Sequence, residues 1–96
     1  MIFDWDDANR DHVAAHNVST EEAEQVIQNN PIDLELQDDP TDIFRHPQIG
    51  ETKVGRILVV LSTLRGSKIR VISAWDATRA YKNFYHSERA RQAWHT

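Results

Sequence analysis

Three guanidinium groups and one imidazole are the side chains best equipped for chemistry on a phosphate. Arg65, Arg70 and Arg79 each present a rigid fork of donors that fits a phosphate bidentately. His16 carries an imidazole, the side chain best suited to proton transfer at physiological pH. Arg45 is a further cation of second rank. The three arginines converge if the hairpin bearing Arg65 and Arg70 meets the start of the last helix, which bears Arg79, on one sheet face. A helix N-terminus there adds its own attraction for anions. Each residue also has a structural use. Arg70 in a strand suits a cross-strand acid such as Glu35. Arg79 suits a surface pair with Asp76. Arg65 in a turn can simply be solvated. His16 at a helix end can satisfy terminal carbonyls.

Other chemistries have less support. His12 and His16 lie four apart, a spacing that can place two imidazoles on one zinc ion. No glutamate stands between them in the metalloprotease pattern, and no metal or other cofactor is expected. The chain has no cysteine, which excludes disulfides and a thiol nucleophile. Trp75, Tyr81, Phe84 and Tyr85 have faces for stacking on unpaired bases, although their spacing fits core packing better. Trp75 is the exception, at a strand end beside Arg79.

These residues must be held by one small domain. With 96 residues the chain can bury one modest core. Residues 1–44 hold twelve acids and one base, and residues 45–96 hold three acids and ten bases. The halves therefore carry −11 and +7 within a net charge of −4. Such asymmetry fits either a charged partner or two halves that attract each other in the fold. No apolar run reaches the length of a membrane span. Residues 1–6 lack the basic and apolar stretches of a signal peptide, so a cytoplasmic location is expected.

The periodicities give α+β with the order β-α-α-β-β-β-β-α. Residues 2–5 read as an edge strand, and Asp6 or Asp7 caps a helix to about residue 16. Ser19 and Glu22 form a capping box for a helix over 20–29, with Ala23, Val26 and Ile27 inward. Residues 32–36 alternate apolar and acidic, like a half-buried strand. Residues 37–42 read as a polar turn. Residues 44–49 suit a strand that Pro47 demotes to an edge or a bulge. Residues 56–64 are the clearest strand, followed by a turn at 65–68 and a strand at 69–74. Asp76 caps a last helix over 77–93, with Ala77, Tyr81, Phe84 and Glu88 on one face and Tyr85 on its border. The meander is packed by helices on one side. The tail, residues 87–96, either frays or docks on a partner.

The ordered motifs resemble the BrnT family. Phe3-Asp4-Trp5-Asp6, then Asn9, His12, His16, Val18 and Glu22, resemble its opening. Arg45, Gly50, Thr52, Gly55 and Arg56-Ile57-Leu58 resemble its central hairpin. Thr63-Leu64-Arg65-Gly66 and Ile69-Arg70-Val71-Ile72-Ser73-Ala74 resemble its strand pair, and Ala77-Thr78-Arg79 its last helix start. The resemblance covers about residues 3–86. Three positions depart from it: Asn17 stands for a glycine, Glu51 for a frequent arginine, and Ala80-Tyr81-Lys82-Asn83 for a run richer in arginine.

The resemblance implies a toxin of a type II toxin–antitoxin pair on a RelE-like ribonuclease fold. That fold has an antiparallel sheet of four or five strands, two N-terminal helices and one C-terminal helix. It implies metal-free RNA cleavage that inhibits translation and neutralisation by a BrnA-like antitoxin. Operator DNA is then met only through the antitoxin, in a hetero-tetramer around an antitoxin dimer. On that basis Arg70 and Arg79 hold the scissile phosphate, while Arg65 or His16 assists proton transfer or orients the substrate. Arg45, Arg56, Lys68, Trp75 and Lys82 are the expected RNA-binding residues. The alternative is a catalytically degenerate relative acting as an interaction module, which the acidic net charge and the departures after Arg79 favour.

Overall fold

A computed structural model describes residues 1–35 and 45–94. Two helices come first, α1 (Asp7–Ala15) and α2 (Thr20–Gln28). Four strands follow: β1 (Ile32–Asp33), β2 (Arg45–Glu51), β3 (Ile57–Arg65) and β4 (Lys68–Asp76). Helix α3 (Arg79–Trp94) closes the chain. The sheet is an antiparallel meander in the order β1-β2-β3-β4. The expected strand at residues 2–5 is a single parallel bridge, Phe3 to Ile69, on the outer edge of β4. Two backbone bonds of 2.8 Å hold it, Asp4 N–H to the Ile69 carbonyl and Ile69 N–H to the Ile2 carbonyl.

Local sequence explains the ends of these elements. Asp6 and Asn9 form a reciprocal capping box on α1, and Ser19 and Glu22 form one on α2. Asn17, with φ of 58°, turns the chain between the helices. The β3–β4 turn needs only Gly66 and Ser67, and Gly66 has φ of 64°. Pro47 lies inside β2. Its carbonyl accepts from Leu34 N–H at 2.9 Å just past the end of β1. Its missing N–H therefore falls where the β1 ladder stops. Beyond Glu35, the expected end of β1 and the turn at 37–42 lie outside the described residues. Asp76 does not cap the last helix. It ends β4, and Thr78 Oγ1 accepts from Tyr81 N–H at 3.3 Å instead.

The sheet is covered on both faces, not on one. Leu58, Val60, Val71 and Ala74 pack with Val13, Val18, Ala23, Val26 and Ile27 under α1 and α2. Ile49, Ile57 and Val59 pack with Ala77 and Tyr85 under α3. A periodicity of two with apolar residues on both parities, as in residues 57–60, requires two covered faces. In α3 the buried side chain is Tyr85, whereas Phe84 is exposed. No described helix is long and apolar enough to cross a membrane.

Candidate functional site

The register fixes which side chains share a face. Alternation from Ile49, Val59 and Trp75 along β2, β3 and β4 places Arg45, Pro47, Leu61, Thr63, Arg65, Ser73, Arg70 and Lys68 on the α3 face. A bulge at Ile72, where Leu61 pairs with Ser73 but Ser62 with Val71, keeps Arg70 on that face. Among the described residues, helix α3 packs through Tyr85 on Ile49, Ile57 and Val59, toward the Glu51 and Asp76 end of the sheet. At the other end Arg45, Arg65 and Lys68 are exposed, and Arg70 is half-buried. Four cations from three strands thus stand together, among the described residues, on the half of a sheet face that lies away from α3.

Arg70 anchors this platform. Its guanidinium donates to Asp6 Oδ1 at 3.1 Å and pairs with Asp6 Oδ2 at 3.0 Å. The contact holds the Asp6 carboxyl below its ordinary range and raises the guanidinium. Asp4 lies 3.7 Å from Arg70 and 3.5 Å from Arg65. A cross-strand acid such as Glu35 was expected to partner Arg70, and the structure supplies Asp6, sixty-four positions away, instead. The signal was present in Phe3-Asp4-Trp5, an apolar–acidic alternation that sends Phe3 and Trp5 into the core and Asp4 to the opposite face.

Arg79 is elsewhere. The antiparallel hairpin puts its turn at one end of β4 and the start of α3 at the other. About 20 Å of strand separates Arg70 from Asp76. Arg79 therefore does not converge with Arg65 and Arg70. At its end of the sheet the ring of His16 lies 6.4 Å from that of Trp75. Lys82 is near enough to Asp76 to lower its pKa, after the larger effect of Arg56. Trp75 faces the same side as Ser73 and Arg70, at the Asp76 end of β4.

Arg56 is a clamp. It donates to Asp76 at 2.9 and 3.1 Å, to Glu22 at 3.0 and 3.1 Å and to the Asn17 carbonyl at 2.8 Å. Its fork is filled, and it ties α2, the α1–α2 turn and β4 together. His12 contacts the Ile72 carbonyl at 3.2 Å, so the bulge that aims Arg70 also seats α1. No group of three metal-ligating side chains occurs among the described residues. A groove of about 520 Å³ between residues 33–35 and α3 includes Asp33 and Glu35, which repel a phosphate.

Residues 5–80 match the family model described as ribonuclease toxin, BrnT, of type II toxin–antitoxin system. No curated protein and no solved structure matches.

Proposed function

The chain belongs to the BrnT family of type II toxin–antitoxin ribonuclease toxins, and from that premise we propose that the half of its sheet face away from α3 is the RNA-cleaving site. The observation that carries this reading is the gathering of Arg45, Arg65, Lys68 and Arg70 on one sheet face. RNA cleavage without a metal needs charge stabilisation at the phosphorane, and converging guanidinium groups supply it. Arg70 is already fixed by Asp6, so little ordering entropy remains to be lost on binding. Trp75 offers a stacking face toward the second cation group, where Arg79, Lys82 and His16 guide the strand. Arg56 serves the fold. A BrnA-like antitoxin silences the toxin, inhibition of translation follows from RNA cleavage, and the acting compartment is the cytoplasm.

The test combines purified protein with single-stranded RNA and growth on induced expression. The protein is expected to cleave RNA and arrest growth. Arg70→Ala is expected to slow cleavage by about 10²–10³-fold, the usual cost of one transition-state donor. Arg65→Ala with Lys68→Ala removes two exposed cations. The slope of log affinity against log salt should then shrink by about 1.4. Arg79→Ala should weaken binding without abolishing cleavage. Intact RNA and normal growth would sink the ribonuclease reading. The result would then favour a non-catalytic binding module, a reading supported by the pairing of Arg70 and Arg56 with the chain's own carboxylates.

A further inference from the structure

We propose that Asp4 is the general base of this site, an inference that rests on the ribonuclease reading above. Asp4 and Asp6 flank the same guanidinium but differ in what remains free. Asp6 accepts from Asn9 N–H and Arg70 and caps α1, so its oxygens are occupied. The Asp4 carboxylate has only two looser ion pairs, at 3.5 Å to Arg65 and 3.7 Å to Arg70, and no hydrogen bond among the described residues. Its lone pairs are available, and its side chain is 23% exposed. The Phe3–Ile69 bridge places it on the platform face, just beyond the edge of β4.

A carboxylate within 4 Å of two guanidinium groups that would hold the phosphate is placed to accept a proton from the adjoining ribose 2′-hydroxyl. In the step, the 2′-hydroxyl proton passes to Asp4 and the 2′-oxygen forms a bond to phosphorus. The bond from phosphorus to the 5′-oxygen breaks, and that oxygen takes a proton from solvent. The products are a 2′,3′-cyclic phosphate and a 5′-hydroxyl. Arg65 and Arg70 stabilise the phosphorane. Among the described residues Arg65 and Arg70 pair with Asp4, and Asp6 shares Arg70 with it.

The test measures single-turnover cleavage of an RNA oligonucleotide against pH, with RNA affinity and thermal unfolding recorded alongside. Asp4→Asn is expected to slow cleavage at least about 100-fold. It should also flatten the acid limb of the rate profile and leave RNA affinity equal or tighter, because a negative charge is removed. Asp4→Glu should restore much of the rate. Asp4→Asn that cleaves at the original rate, or that loses affinity and rate together, would overturn the proposal. The site assignment is judged separately. If Arg65→Ala with Lys68→Ala loses affinity while Asp4→Asn cleaves normally, only the base is wrong. If the unsubstituted protein cleaves no RNA, the site reading fails and the base falls with it.

Discussion

Single side chains join parts of this fold that the chain order keeps far apart. Asn9 is the clearest case. It is buried, and its amide donates at 2.9 Å both to the Asp4 carbonyl and to the Val71 carbonyl. It thereby ties the N-terminal segment and α1 to β4, beside the proposed base. Its side-chain oxygen also accepts from Asp6 N–H at 2.7 Å. Asn9→Ala leaves these buried groups unpaired, and each costs about 1–3 kcal/mol. The expected loss in urea unfolding is about 3 kcal/mol, with RNA cleavage falling as the Asp4 segment loosens. A loss below about 0.5 kcal/mol would show that the amide is dispensable.

Among the described residues, helix α3 is anchored chiefly through Tyr85. Its mainly polar sequence buries one side chain, Tyr85, whose hydroxyl donates to Glu51 Oε1 at 3.1 Å. Arg89 lies over the Tyr85 ring at 5.0 Å, donates to its hydroxyl and reaches the Asn30 carbonyl. Removing the ring should therefore release the whole second half of the helix. Tyr85→Ala is expected to cost about 3–5 kcal/mol, as for other buried aromatics. Amide exchange should accelerate along α3 before it does in β3. Equal acceleration in both would mean that the helix and sheet unfold as one unit. On the opposite face the approach of α2 leaves little room at Gly50, where an added Cβ would meet the Val26 side chain at 3.0 Å. This close contact explains a glycine in the middle of a strand.

At the scale of the whole molecule, the two halves of opposite charge bind each other. Glu22 pairs with Arg56, and Asp4 and Asp6 pair with Arg65 and Arg70. Hydrogen bonds lower the folded pKa of Asp6, Glu22 and Asp76 below the ordinary 3.8 or 4.5. A carboxylate whose folded pKa is depressed stabilises the fold above its unfolded pKa. That contribution is lost as pH falls through the folded value. Stability should accordingly be level above about pH 5 and decline below 4.5. Arg56→Gln should cost about 1 kcal/mol at pH 7 after solvent screening. The gap between variant and parent in thermal unfolding should narrow below pH 4. A gap that is constant down to pH 3 would refute the ionic account.

Much of this was legible in the chain. The Asp6 cap, the capping box at residues 19–22, the meander of β2 to β4 and the family motifs depend on residue type and near spacing. Local chemistry sets both, so the sequence by itself determined the elements, the α+β class and the family. The cations of the site were legible one by one, but their grouping was not. Tertiary structure decided that Arg70 answers Asp4 and Asp6 rather than Glu35, and that Arg56 is filled by carboxylates. It also decided that Arg79 lies a strand length from Arg65, and that Tyr85 rather than Phe84 is buried. These outcomes depend on strand register, a single-residue bulge and the crossing of α3 over one end of the sheet. Register and crossing come from packing between distant segments, and the spacing of residues along the chain does not encode that packing.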